Sequence, residues 1–248
     1  MSKISTAVIL CAGNGARMSP FTNFYPKSFL PVKDKLALEI VVMEAVKSGA
    51  KNIVFVHNKG DEYVKSFAKW FNSEYGVGAI FDFCEQKEKN GSGGAVLACA
   101  DIIKTPFFLA FADDLTKAQS PVFLQLAQIF YKTQKNVVGV RLVDKSLARN
   151  YGILKPTTFW GDVFEFCEIV EKPKIPCEYN YANFGRYVLT PEIFDVLQDV
   201  PKEISGEIYL TKAFEVLAKE KKILAYRFKG ECYDIGTMEN YLKTFIEY

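Results

Sequence analysis

Two cations, a glycine loop and three aspartates carry the chemistry that this sequence offers. The apolar run Ala7-Val8-Ile9-Leu10 opens through Cys11 and Ala12 into Gly13-Asn14-Gly15-Ala16-Arg17, and Pro26-Lys27 with Leu30-Pro31 follows. A strand that ends in such a loop presents consecutive backbone N–H groups, which form an anion-binding concavity. Glycine lets the main chain approach the anion because no Cβ intervenes. With Arg17 and Lys27 added, the segment reads as a polyphosphate site. Two other phosphate-binding patterns fail. A dinucleotide fingerprint wants a third glycine, where Met18 stands, and an acid about 20 residues further on. The second apolar run ends instead in His57-Asn58. A Walker loop needs Gly-Lys-Ser/Thr, which does not occur. The plain alternative is an ordinary strand and turn with a surface arginine.

Asp113 and Asp114 close the apolar run over 107–112, and Asp234 sits in Tyr233-Asp234-Ile235-Gly236-Thr237. A carboxylate at the end of a parallel strand, facing a triphosphate, holds a hard cation through oxygen. Magnesium takes one or two carboxylates together with substrate phosphates. The competing reading makes Asp113 or Asp114 a turn cap and Asp234 the N-cap of a helix at Met238. Gln86 precedes Gly91-Ser92-Gly93-Gly94; its amide offers a donor and an acceptor to a base edge, and the glycines let a flat base lie on the backbone. Without a ligand, the same segment is a polar loop. Glu171-Lys172 in Val170-Glu171-Lys172-Pro173 pairs an acceptor for sugar hydroxyls with an ammonium for a phosphate, or is a solvated acid–base pair. Gly152 and Gly185 are turn residues or places where a sugar ring meets the main chain. His57 is the only histidine, which argues against a Ser-His-Asp triad and a histidine-held metal. Any metal is therefore expected on oxygen.

These groups need a scaffold that brings them to one edge. Strands are expected over 7–10, 53–56, 79–83, 107–112 and 137–143, with helices over 36–47, 63–71, 94–103 and 121–133. Alternation of this kind implies β-α-β units and a Rossmann-like α/β fold, a mostly parallel sheet flanked by helices. Ligands of such sheets sit outside the carboxyl ends of the strands. Past residue 147 the texture changes to strands over 151–154, 163–170 and 187–189. Helices over 191–198, 208–218 and 238–245 and a strand over 223–228 complete a smaller α+β, sugar-binding portion. The expectation is one domain over 1–248, with a nucleotide half of about 1–145 and a sugar-phosphate half of about 146–248.

The 248 residues are 49% hydrophobic and 24% charged, with a net charge of +2. That balance is globular, and the small charge gives no reason to expect a nucleic-acid partner. No apolar stretch reaches the ~20 residues of a membrane span, and the start at Met1-Ser2-Lys3-Ile4 shows no secretory signal. Cys11, Cys84, Cys99, Cys167, Cys177 and Cys232 form no C-x-x-C pair; they read as free thiols in a reducing, cytoplasmic setting.

Read together, these motifs resemble the bacterial UTP–glucose-1-phosphate uridylyltransferases, within the sugar-1-phosphate nucleotidylyltransferase superfamily. The resemblance runs nearly end to end. It covers the 13–17 loop, Pro26-Lys27 with Leu30-Pro31, Ala112-Asp113-Asp114, Tyr151-Gly152, Val170-Glu171-Lys172-Pro173, Gly185-Arg186-Tyr187-Val188-Leu189-Thr190-Pro191, Glu207-Ile208-Tyr209-Leu210-Thr211 and Phe228-Lys229-Gly230 before Asp234. It implies attack of a sugar-1-phosphate oxygen on the α-phosphorus of UTP, yielding UDP-glucose and pyrophosphate. It further implies Arg17 on the departing pyrophosphate, Lys27 near the reacting phosphates, and Mg²⁺ on Asp113 and Asp234. Lys172 would take the sugar phosphate, Glu171 the sugar hydroxyls with Gly152 beside the sugar, and Gln86 and Gly91 the uracil. Ala12 and Gly13 would lie near base and ribose, with Gly15 in the same nucleotide loop.

The chain also departs from that pattern. Gly-Thr-Arg is Gly15-Ala16-Arg17, Pro-Lys-Glu-Met-Leu-Pro is Pro26-Lys27-Ser28-Phe29-Leu30-Pro31, and Gly-His-Ala is Gly93-Gly94-Ala95. The glycine after the base-reading glutamine is Lys87, and the segment before Gln86 is short. The changes gather on the nucleoside side, so dTTP, CTP or another hexose-1-phosphate are alternatives, and homo-oligomerisation stays open. A nicotinamide oxidoreductase lacks its third glycine and ribose acid. A non-catalytic nucleotide sensor has no need of Arg17, Lys27, Asp113, Lys172 and Asp234 together.

Overall fold

In the computed structural model, which describes residues 3–13, 15–174 and 178–248, the first apolar run is β1 (Thr6–Leu10). Cys177 lies outside the described residues. Next come β2 (Pro31–Val32), β3 (Lys35–Leu36), α1 (Ala37–Lys47), β4 (Asn52–His57), α2 (Tyr63–Tyr75), β5 (Ile80–Glu85) and α3 (Gly91–Leu97). They are followed by β6 (Phe107–Phe111), β7 (Asp114–Lys117), α4 (Val122–Thr133) and β8 (Asn136–Leu142). The remainder is β9 (Gly152–Trp160), β10 (Val163–Glu171), β11 (Tyr181–Leu189), α5 (Glu192–Asp199), α6 (Leu210–Lys219), β12 (Ile223–Arg227), β13 (Glu231–Asp234) and α7 (Met238–Glu247).

Nine strands form one sheet in the order β5-β4-β1-β6-β11-β8-β12-β10-β9. β1 runs parallel to β4 and β6, β4 to β5, and β8 to β12. Only β10 and β11 oppose the other described strands of this sheet, so it is mixed but mostly parallel. Strands covered on both faces are continuous apolar runs, and all five residues of β1 are buried. One face packs on α1, α2 and α4 through Val41, Phe67 and Phe123. The other packs on α3, α5 and α6 through Val96, Ile193 and Leu217. In α2 the buried residues Val64, Phe67, Ala68 and Phe71 follow the i, i+3, i+4, i+7 spacing of an amphipathic helix. Gly76 ends that helix in the left-handed region at φ 60°, as C-terminal glycines do.

Two features differ from the sequence expectation, and both shape the cleft. The glycine run 91–94 lies inside α3, not before it. A Cβ on Gly93 would sit 2.6 Å from Ile208 Cγ2, and one on Gly94 1.7 Å from Asn90 Oδ1. Those glycines therefore serve close packing, pinned by Gly93 N–H donating to Ile208 O at 2.8 Å. The second feature is a separate ribbon in which β7 pairs antiparallel with β13, placing Asp114 opposite Asp234 and Leu115 opposite Tyr233. Four-residue strands of mixed polarity are too short for a period-2 signal.

Leu115 is fully buried in the core under this ribbon. Leu115→Ala is expected to lower the unfolding free energy by about 2–5 kcal/mol, read as a shifted urea midpoint at unchanged slope. A loss under about 0.5 kcal/mol, the usual range of surface changes, contradicts this packing.

Candidate active site

Because β1 and β6 are parallel neighbours, the loops after them leave the same edge of the sheet. Ala112 N–H donates to Leu10 O at 3.2 Å, and Cys11 N–H to Val56 O at 2.8 Å. In the first loop Gly15 has φ +60°, and a Cβ there would meet Thr22 Cγ2 at 2.7 Å; Thr22 Oγ1 donates to Gly15 O at 2.8 Å. Met18 is fully buried and anchors a short 3₁₀ turn, while Arg17 stays exposed. Arg17 reaches the far turn: a Cβ on Gly236 would lie 3.3 Å from its Nη2. Lys27 forms an ion pair with Asp113 Oδ2, and both side chains are mostly covered.

The three aspartates converge. Ile235 N–H donates to Asp113 O at 3.1 Å, and the ribbon register sets Asp114 against Asp234. Asp234 Oδ1 accepts from Gly236 N–H at 2.5 Å and Oδ2 from Asn240 Nδ2 at 2.8 Å. It does not cap α7; that role falls to Thr237, whose hydroxyl accepts from Asn240 N–H at 3.2 Å. Asp114 opens a strand instead of capping a helix, and its Oδ2 accepts from Gly185 N–H at 3.1 Å. Burial, with the charges of Asp113 and Asp234, pushes the Asp114 carboxyl up to about 7, against the pull of Arg186 and Arg141.

A cavity of about 310 Å³ opens beside this cluster. Of the expected nucleotide residues, Ala12, Gly13, Gln86 and Gly91 line it, with Lys27 and Asp113. Gln86 Nε2 donates to Asn90 Oδ1 and Gly91 O, each at 3.2 Å, so its own loop fixes the amide. Gly91 has φ +84°, and a Cβ there would meet Ile208 O at 2.8 Å. Ser28, Lys89 and Glu207 also line the cavity, and sequence reasoning gave them no role. The Glu207 carboxylate is oriented by the Tyr209 hydroxyl, which donates to Oε2 at 2.9 Å. Gly15, Arg17, Gly152, Glu171, Lys172 and Asp234 are not part of its lining.

Gly152, Glu171 and Lys172 meet at the junction of β9 and β10, where Glu171 is registered opposite Gly152. A Cβ on Gly152 would lie 2.9 Å from Glu171 Oε2, so the glycine makes room for the carboxylate. Burial raises the Glu171 pKa, opposed by Lys172 and Lys212. Lys172 is held at φ 44°, a sparsely populated region for a side-chain-bearing residue, with its N–H donating to Tyr151 O at 3.0 Å. Burial raises the Tyr151 pKa, with the Asp234 and Asp114 charges adding to it against Arg141, and burial with the Asp114 charge raises that of Tyr187. Gly185 is neither a turn nor a surface platform. It lies in the irregular middle of β11, where a Cβ would be 2.3 Å from Asp114 Oδ2.

Among the described residues no group of three or more metal-ligating side chains is placed to cage an ion. Two neighbouring carboxylates with oxygen donors only, crowded by a third, instead suit a hard divalent cation that completes its shell with substrate oxygens. The donor set thus fits a divalent metal ion.

The nucleotidyl transferase family model matches residues 6–248. The chain is 34% identical, over all of its length and 93% of the relative's, to UTP–glucose-1-phosphate uridylyltransferase 2 of Staphylococcus saprophyticus. It is 32% identical, over the same shares of the two chains, to the UTP–glucose-1-phosphate uridylyltransferase of Staphylococcus epidermidis. It also superimposes on a UDP-glucose pyrophosphorylase crystallised with UDP-glucose at TM-score 0.90 and 30% identity, covering 99% of this chain and 98% of that one. For a UTP-bound enzyme from Acinetobacter baumannii the TM-score is 0.84 at 26% identity, covering 99% of this chain and 93% of that one.

The two glycine environments make opposite predictions. A Cβ on Gly185 collides with Asp114 and Phe111, whereas one on Gly13 meets nothing within 4 Å. Gly185→Ala is expected to destabilise the fold by about 1–3 kcal/mol, and Gly13→Ala by less than about 0.5 kcal/mol. Equal shifts in thermal unfolding contradict the geometry.

Proposed function

This chain belongs to the nucleotidyl transferase family, and we propose a division of labour for the groups in its cleft. The enzyme makes UDP-glucose and pyrophosphate from UTP and glucose 1-phosphate, the reaction named by its full-length relatives. An oxygen of the sugar phosphate forms a bond to the α-phosphorus of UTP. The bond from that phosphorus to the bridging oxygen breaks, and pyrophosphate leaves with the electron pair. A phosphate oxygen is already anionic, so no general base is required. That accords with a single histidine whose Nδ1 lies 2.8 Å from Asn58 O.

The work left to the protein is positioning and charge neutralisation. Gln86 and Gly91 take the uracil, and Ala12 and Gly13 line the approach to base and ribose. Gly15 lets the loop turn so that its N–H groups and Lys27 meet the phosphates, while Arg17 neutralises the departing pyrophosphate. Lys172 grips the sugar phosphate, Glu171 accepts from sugar hydroxyls, and Gly152 leaves them room. Asp113 and Asp234 would hold Mg²⁺, which would supply Lewis-acid neutralisation of phosphate charge worth several kcal/mol. The observation that supports this most is that the paired Lys27 and Asp113 line the cavity, while the ribbon register and the Ile235 N–H to Asp113 O bond bring the Asp234 turn beside them.

A variant of this reading changes the nucleotide. Ser28 lines the cavity with its hydroxyl buried and lacking a conventional hydrogen-bond partner, beside the Cys11 thiol. Pyrophosphate release measured over UTP, dTTP and CTP, with glucose, galactose and mannose 1-phosphates, decides between them. UTP with glucose 1-phosphate is expected to lead in kcat/KM by at least about tenfold; a lead by dTTP or CTP overturns the base assignment. Asp113→Ala and Asp234→Ala are each expected to cut turnover about a hundredfold or more while circular dichroism and thermal unfolding stay close to the parent. Parental turnover in either variant removes that residue from the metal site.

A further inference from the structure

Glu44 on α1 and Arg186 on β11 form an ion pair that the division of labour above does not use. It is wholly internal, with the side chains 8% and 0% exposed. Glu44 Oε2 accepts from Arg186 Nε at 2.9 Å and from Thr116 Oγ1 at 2.6 Å, and Oε1 accepts from Phe123 N–H at 3.2 Å. Arg186 Nη1 donates to Gly185 O at 2.9 Å and to Phe111 O at 3.4 Å. The guanidinium lies over the Phe123 ring, 5.3 Å from its centroid, and Nη2 is buried without a partner.

These partners bracket the aspartates. Phe111 is the last residue of β6, two before Asp113, and Thr116 follows Asp114 by two on β7. Gly185 N–H holds the Asp114 carboxylate, and β7 in turn carries β13 with Asp234. One carboxylate and one guanidinium thus clamp both ends of the turn that bears Asp113 and Asp114, and tie it to α1, α4 and β11.

Stability alone does not account for such a pair. Replacing a buried ion pair by apolar residues of similar volume is often neutral or stabilising, because each ion loses its hydration. An unpartnered guanidinium nitrogen adds to that loss. We propose that Glu44 and Arg186 are positioning residues, which fix the backbone over 111–116 and so hold the Asp113 and Asp234 carboxylates at the spacing that divalent-cation binding requires. This rests on the assignment of those aspartates to the metal.

The double variant Glu44→Leu/Arg186→Met separates positioning from stability. Its urea midpoint is expected to equal or exceed the parent's. Mn²⁺ affinity, read by electron paramagnetic resonance with UTP present and sugar phosphate absent, is expected to weaken about tenfold, and kcat to fall about 10–100-fold with KM for glucose 1-phosphate within about threefold. Arg186→Lys, which keeps the charge but not the second arm, should fall between. A folded double variant with parental Mn²⁺ affinity and kcat overturns the proposal. Should it fail to fold, Glu44→Gln carries the same two readouts, and parental values there overturn it equally. A parent protein that takes up no Mn²⁺ sinks both this proposal and the two-aspartate site; an unchanged variant sinks only this one.

Discussion

Like charges crowd at the carboxyl end of this sheet, and much of the surrounding structure answers that crowding. Asp113, Asp114 and Asp234 are brought together by one backbone ladder, the β7–β13 ribbon, and by the hydrogen bond from Ile235 N–H to Asp113 O. Burial raises the Asp114 pKa, and the neighbouring Asp113 and Asp234 charges raise it further. Lys27 answers from the first loop, Arg17 from beside Gly236, and Arg186 and Arg141 from behind. Arg141 is itself braced, its guanidinium 4.8 Å from the Tyr151 ring centroid. A cleft with such charges of both signs is prepared for a ligand that carries many negative oxygens together with a cation.

That arrangement matches a reaction with little proton transfer. In nucleotidyl transfer the nucleophile arrives ionised and the leaving group departs ionised, so the barrier lies in bringing anions together. Rigidity then matters more than acid–base tuning. The glycines serve it: Gly185 admits the Asp114 carboxylate, Gly152 admits Glu171, and Gly93 and Gly94 seat the start of α3 against Ile208 and Asn90. The contact between Asn90–Gly93 and Glu207–Leu210, through Ile208 N–H to Asn90 O at 2.7 Å and Leu210 N–H to Ser92 Oγ at 3.2 Å, joins the start of α3 to the later half of the chain.

Much of the fold was legible because parallel strands buried on both faces leave continuous apolar runs. β1, β4, β6 and β8 all sit within a residue or two of the expected positions. The β7–β13 ribbon was not legible, since its strands are short and its register joins residues more than a hundred positions apart. Helix α3 began early because glycines that look like a loop locally are packed as a helix by Ile208 and Asn90, a tertiary effect. Within the site, local motifs pointed to Ala12, Gly13, Lys27, Asp113, Gln86 and Gly91, which do line one cavity. They could not reveal that Gly185 serves Asp114, that Thr237 takes the helix cap from Asp234, or that Glu44 and Arg186, 142 residues apart, meet beneath the aspartates. Glu207 was visible as part of a motif, but only its Tyr209 partner and its cavity position single it out.

The central claim, that Asp113 and Asp234 jointly hold the cation, is tested most directly by diffraction from crystals grown with UTP and Mn²⁺. Data collected at the manganese absorption edge should show one strong anomalous peak within coordination distance, about 2.0–2.5 Å, of a carboxylate oxygen from each aspartate and of a UTP phosphate oxygen. A peak touching the phosphates while either aspartate remains turned away would contradict it.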